Sequence, residues 1–194
     1  GFFENVDIVY TSFVDELYVS PFYVAVDHGK KSVILSIRGT LSLQNILTDL
    51  IVEPEKIPCS RSQMGDEWFA HKGMLRTAMS LKNILETKNI LTEAFNKCPA
   101  NERSNYQLII VGHSLGAGAA AILAILLRET YPNLFCYAYS PPGATLSHDA
   151  TKYAEDFILS VVIGKDMIAR MSLNNLKDLR DRVMFLISKT RKPK

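Results

Sequence analysis

A buried strand, a tight turn and a buried helix follow one another in Tyr106-Gln-Leu-Ile-Ile-Val-Gly-His-Ser-Leu-Gly-Ala-Gly118. Residues 106–111 are apolar and rich in β-branched side chains, which predicts a buried strand. Residues 117–129 are rich in Ala and Leu, which predicts a buried helix. Residues 112–116 between them match the pattern G-x-S-x-G, which is typical of a serine on a sharp strand-to-helix turn.

This turn predicts that Ser114 is a nucleophile. Glycines on either side of the serine let the strand and the helix approach closely, and the strained turn pushes the hydroxyl out above the sheet. The turn also places Ser114 at the N-terminus of a helix. The N–H group of Leu115 is therefore available to stabilise a developing oxyanion.

Outward from this turn, predicted strands alternate with predicted helices. Such alternation indicates an α/β protein with a mainly parallel sheet and helices on both faces. We expect one domain over residues 1–194. The predicted strands are 22–27 and 32–38, which form a hairpin, and 134–139 and 158–163. The predicted helices are 42–51, 72–86, 90–97, 147–157 and 174–188, and residues 53–68 are predicted to form a surface loop.

Composition excludes several other classes of protein. Apolar residues make up 47% and charged residues 22%, which favours a globular core over disorder. The net charge of +2 argues against nucleic acid as the main partner. Cys59, Cys98 and Cys136 are far apart in sequence and predict free thiols, and neither a metal site nor a cofactor site is indicated. The longest apolar run, 117–127, is shorter than the roughly 20 residues of a spanning helix.

Six short segments stand out along the chain from Phe22 onward. They are Ser36-Ile-Arg-Gly-Thr-Leu41, Leu47-Thr-Asp-Leu50, His71-Lys-Gly73, Val111-Gly-His-Ser-Leu-Gly-Ala-Gly118, Tyr137-Ala-Tyr-Ser-Pro-Pro-Gly143 and Gly164-Lys-Asp166. In these segments and in their order the chain resembles the class 3 lipases, the family of fungal triacylglycerol lipases, and within it the sn-1-specific diacylglycerol lipases of animals. The resemblance covers most of the chain and implies the α/β-hydrolase fold.

The resemblance implies three further site residues. Thr40 and the N–H group of Leu115 would form the oxyanion hole, and Asp166 would be the acid of a catalytic triad. Two of these residues have a simpler interpretation. Thr40 could be an ordinary turn threonine, and Asp166 could only cap a loop. Asp149 and Asp156 are competing acids, but their polar helical pattern favours a solvated helix face.

A histidine base is missing from the expected place. The fold's chain order is Ser, acid, then His, whereas His28, His71, His113 and His148 all precede Asp166. We therefore expect that the 194 residues stop before the strand and histidine that complete the triad, and that they are inactive alone. His113 is expected to be a packing residue and His71 to have a structural role.

The resemblance implies hydrolysis of the sn-1 ester of diacylglycerol through an acyl-enzyme on Ser114. The products would be a 2-monoacylglycerol, such as 2-arachidonoylglycerol, and a fatty acid. It also implies a membrane location, with the catalytic domain facing the cytoplasm and anchored by parts outside this chain. A triacylglycerol lipase, a phospholipase A1 and an inactive lipid-binding module remain alternatives. Helix 42–51 fits either a hinged lid or a packed surface helix, and the basic tail 189–194 fits either lipid contact or solvation.

Overall fold

The computed structural model describes residues 5–16, 18–39, 54–59 and 67–190, and all structural statements refer to these residues. Six strands form the main sheet in the order β1-β2-β3-β6-β7-β8, and β4 pairs with β5 in a small second sheet. The strands are β1 Val6–Ser12, β2 Phe22–Asp27, β3 Ser32–Ile37, β4 Pro54–Lys56, β5 Phe69–His71, β6 Gln107–His113, β7 Phe135–Tyr139 and β8 Ile158–Val161.

Five α-helices connect or follow these strands in the described residues, with short 3₁₀ turns at Arg103–Asn105 and Ile168–Arg170. The predicted helices at 72–86, 90–97, 147–157 and 174–188 are confirmed with small shifts of their ends. Residues 42–51 lie outside the described residues. The helices are α1 Lys72–Thr87, α2 Ile90–Asn96, α3 Leu115–Leu127, α4 His148–Ala154 and α5 Leu173–Lys189.

The pairing of the strands places their functional ends together. β1, β2 and β3 are antiparallel, and the predicted hairpin is confirmed with Phe22 opposite Ile37. β3, β6, β7 and β8 run parallel, with Ile37 beside Gly112 and His113 beside Tyr139. The carboxyl ends of these four strands therefore meet at one edge of the sheet, where sites of α/β proteins collect.

The core lies on one face of the sheet. In β6, Leu108 and Ile110 are buried while Ile109 and Val111 are only half-buried, and β7 follows the same alternation. Helices α2 and α3 pack on the buried face, α1 packs against α3, and α4 joins the same core. Helix α5 is exposed from residue 177 to its end. The amphipathic pattern of α5 shows which of its faces is apolar, but it does not show what covers that face.

Two strands depart from the sequence-based expectations. Pro54–Lys56 forms β4 and pairs with β5, so the predicted loop 53–68 is wrong over these residues. β1 at Val6–Ser12 was not predicted, and its mixed burial explains why. A strand at the edge of a sheet lacks the clear alternation of a strand with one buried face.

The three cysteines are free thiols and all are buried. Burial raises the pKa of the Cys136 thiol to about 12. None of the helices in the described part of the chain has the length and apolar character needed to cross a membrane.

We predict that Gly112→Ala destabilises the fold by roughly 3 kcal/mol. A Cβ atom at this position would overlap the carbonyl oxygen of Gly116, which belongs to the backbone and cannot rotate away. Gly29→Ala is the control, because its added Cβ would meet Asp27 Oδ1 at an ordinary 3.4 Å. Denaturant unfolding gives the free energies, and equal values for the two variants would contradict the prediction.

Candidate active site

A cleft of about 730 Å³ lies at the carboxyl edge of the parallel strands. It is lined by the ends of β3, β6, β7 and β8, and by Ser114 directly after β6. Ser140 after β7 and Ile163 after β8 also line it. Because these residues lie at strand ends or shortly after them, the sheet fixes their relative positions.

Ser114 occupies a strained backbone conformation between β6 and α3. Its φ of 55° and ψ of −126° lie in a region that non-glycine residues rarely adopt. Its N–H group donates to the carbonyl of Tyr139 at 3.0 Å, and its carbonyl accepts from the N–H of Ala117 at 2.9 Å. The strand passes into the helix at this one residue, as the G-x-S-x-G motif predicts.

The hydroxyl of Ser114 is less accessible than the sequence predicts. Ser114 lines the cleft, but the residue is only 3% exposed. Its Oγ is buried and has no hydrogen-bond partner in the described part of the chain. A buried hydroxyl without a partner is unusual, because such a group loses its hydration without compensation.

Two glycines bring the backbone segments of this site together. A Cβ on Gly39 would overlap the carbonyl oxygen of His113, and a Cβ on Gly116 would lie 2.8 Å from the backbone of Arg38. The end of β3 is thus pressed against the turn that carries Ser114. Thr40, the predicted oxyanion residue, follows Gly39 in the sequence and lies outside the described residues.

Leu115 begins α3, so its N–H group has no carbonyl within the helix to accept it. This is the arrangement expected of an oxyanion donor at a helix N-terminus. Its side chain packs against the hydrophobic core. The backbone therefore supplies the polar group while the side chain anchors the turn.

Asp166 lies in the turn after β8, at the same edge of the sheet as Ser114. Asp166 Oδ1 accepts from the N–H of Ile168 at 2.9 Å, and the side chain also bonds to that of Ser140. The Ser140 hydrogen bond, followed by the Ile168 hydrogen bond, holds the pKa of Asp166 below its ordinary value of 3.8. Asp166 is therefore a carboxylate at neutral pH, as a triad acid must be.

Ser140 is the site residue that sequence reasoning missed. It follows β7 with a φ of 49°, and its N–H donates to the carbonyl of Val161 at 2.9 Å. The strained backbone turns the residue toward the cleft, where its side chain meets Asp166. The contact between Ser140 and Asp166 joins the ends of two strands that are distant in sequence, so no local pattern predicts it. The one signal in the sequence was that Ser140 belongs to the segment 137–143.

None of the four histidines contacts the Ser114 hydroxyl. His28 bonds to Tyr106 Oη at 2.9 Å, and His148 begins α4 as an exposed residue. His71 is buried and accepts from the N–H of Met74 at 3.5 Å as the N-cap of α1, in agreement with a structural role. His113 is exposed and lines the cleft, so the expectation that it packs in the interior is wrong. As the last residue of β6 it lies on the same face of the sheet as the half-buried Ile109 and Val111.

No group of three or more His, Cys, Asp or Glu residues in the described ranges is arranged to hold a metal ion.

Comparisons with known proteins agree with this architecture. The family model "Lipase (class 3)" matches residues 34–176. Diacylglycerol lipase-alpha of Rattus norvegicus is 48% identical over 97% of this chain, and diacylglycerol lipase-beta of Mus musculus is 44% identical over 97%. The chain spans only 18% and 27% of the length of these two relatives.

A crystal structure of a mutant form of MDLA from Penicillium cyclopium superposes with a TM-score of 0.72 at 25% identity, over 88% of this chain and 60% of that one. The sheet, the helices packed on it and this match define an α/β-hydrolase fold, which confirms the predicted fold class. The chain belongs to the class 3 lipase family.

We predict that Asp166→Asn lowers stability at neutral pH and that the loss shrinks in acid. The pKa of Asp166 is lower in the folded state than in the unfolded state. Its carboxylate therefore stabilises the fold at pH values above the unfolded-state pKa. This stabilisation disappears as the pH falls through the folded-state pKa. Unfolding free energies of wild type and variant from pH 7 to pH 3 measure this. Ser140→Ala removes one donor and should weaken the pH dependence, whereas a constant difference would contradict the assignment.

Proposed function

We propose that this chain is the catalytic part of a serine lipase that hydrolyses the sn-1 ester of diacylglycerol, with Ser114 as nucleophile. The observation that carries the proposal is the serine at a strained turn, facing a cleft whose rim also holds an ionised Asp166. Strain of this kind at a non-glycine residue is typical of functional positions, because the surrounding fold must enforce it.

In the proposed reaction, Ser114 Oγ attacks the ester carbonyl and passes its proton to a histidine. The N–H of Leu115 and Thr40 stabilise the oxyanion, while Asp166 holds the imidazole in the required tautomer and stabilises its charged form. Collapse of the intermediate breaks the bond to the glycerol oxygen, which takes the proton and leaves as a 2-monoacylglycerol such as 2-arachidonoylglycerol. Water then cleaves the acyl-enzyme to release the fatty acid.

This mechanism requires a histidine that no part of the described chain places at Ser114. The curated relatives are several times longer than this chain, so the whole protein has room to supply it. The proposal therefore applies to the whole protein, and the 194 residues contribute the nucleophile, the acid and the oxyanion hole.

The choice of diacylglycerol rests on the two diacylglycerol lipases that this chain resembles at 48% and 44% identity. Because diacylglycerol resides in bilayers, the partner of the site is a membrane lipid. We propose a membrane location for the whole protein, with this domain facing the cytoplasm.

A fluorophosphonate probe tests whether Ser114 is activated. The full-length protein should be labelled, and Ser114→Ala should lose the label. Ser104→Ala should keep it, because Ser104 lies on an exposed 3₁₀ turn at the opposite end of β6 from Ser114. Absence of labelling in the wild type would favour an inactive lipid-binding module, which the missing histidine would also suit.

A second test concerns the substrate. With diacylglycerol labelled separately at its sn-1 and sn-2 acyl chains, the full-length enzyme should release the sn-1 chain first. Mass spectrometry of the products should show 2-monoacylglycerol, and its formation should require Ser114. Faster release from triacylglycerol or from phospholipid would instead assign one of the related lipase activities.

A further inference from the structure

The segment 162–167, called here the rim turn, joins β8 to the 3₁₀ turn Ile168–Arg170 and exposes three apolar side chains. Val162, Ile163 and Met167 are 44%, 81% and 57% exposed. Clustered apolar side chains on a surface mark an interaction site, because their exposure to water is unfavourable. The rim turn is also continuous with the catalytic cleft, since Ile163 lines that cleft.

The fold itself holds these side chains outward. The N–H of Asp166 donates to the carbonyl of Ile163 at 3.3 Å, and Gly164 takes a φ of +58° inside the loop that this bond closes. The N–H of Arg170 donates to the carbonyl of Met167 at 3.1 Å. The Asp166 side chain also stabilises the rim turn through its hydrogen bonds with the Ile168 N–H and with Ser140.

The charged side chains at and beside the rim turn favour an anionic partner. Lys165 and Arg170 are exposed, and Asp166 is the only acid between residues 159 and 171. Because the Asp166 oxygens bond within the protein, the outward surface is apolar and positively charged. Apolar insertion combined with attraction to anionic headgroups is how peripheral proteins bind bilayers.

We infer that the rim turn is a membrane-contact surface, which seats the mouth of the Ser114 cleft on an anionic phospholipid bilayer. This inference rests on the proposed lipase function and adds a contact within the catalytic domain itself. Val162 and Met167 enter the interfacial region, Lys165 meets lipid headgroups, and Ile163 lies where the cleft opens toward the lipid. A diacylglycerol molecule then passes from the bilayer to the cleft without crossing water.

The first experiment compares two substrates of the full-length enzyme: diacylglycerol in phosphatidylcholine/phosphatidylserine vesicles and a dissolved short-chain ester. Met167→Ser should lower the vesicle rate about tenfold, equivalent to about 1.4 kcal/mol. The rate on the dissolved ester should stay within about twofold, since Met167 does not line the cleft. Met79→Ser is the matched control, because Met79 is 44% exposed on α1 and should affect neither rate.

Charge is tested in the same way. Lys165→Gln should lower the rate about fivefold on vesicles with phosphatidylserine and leave pure phosphatidylcholine vesicles unaffected. The control is Lys97→Gln, because Lys97 is an exposed lysine just after α2.

Two outcomes would overturn the inference. If Met167→Ser lowered the rates on vesicles and on the dissolved ester equally, the substitution would have damaged the neighbouring Asp166. Unchanged rates on vesicles would also contradict the membrane contact.

A binding measurement separates this inference from the proposed function, because it needs no activity. An environment-sensitive fluorophore on Met167→Cys, corrected for labelling of the unsubstituted protein, should shift to the blue with phosphatidylserine-containing vesicles. The same fluorophore on Met79→Cys should not shift. A missing shift at position 167 would overturn the membrane contact even if the lipase activity is present, and would favour a protein partner.

Discussion

The close approach of two backbone segments governs the site. Gly39 at the end of β3 touches the carbonyl of His113, and Gly116 touches the backbone of Arg38, with no room for a side chain at either glycine. This contact fixes the chain just before Thr40 against the turn that carries Ser114. Oxyanion stabilisation requires donors held in place before the reaction begins, and a contact between backbones provides such rigidity.

The strain at Ser114 persists because the surrounding core is well packed. A non-glycine residue in such a conformation costs on the order of 1–3 kcal/mol. Helix α3 is composed of small and apolar residues and is buried along nearly its whole length. It packs against β6 and β7 on one side and α1 on the other, where Gly118 contacts Met74. The turn cannot relax without displacing this helix from the core.

Asp166 connects the chemistry of the site with the shape of its rim. Its side chain accepts from the Ile168 N–H and bonds to Ser140, which keeps it ionised and fastens the rim turn. One carboxylate therefore serves the proposed triad and shapes the surface that we assign to the bilayer. The position of the turn relative to the cleft follows from β7 and β8, which are adjacent in the sheet.

Local patterns in the sequence determined the strand, turn and helix around Ser114, the β2–β3 hairpin and the helices that cover the core. Each of these is specified by side chains within a few positions of one another, and periodicity records which face is buried. Tertiary structure alone decided the Ser140–Asp166 contact, the burial of Ser114 Oγ and the exposure of His113. These depend on which distant strands become neighbours and on what covers them, and a local pattern carries no record of either.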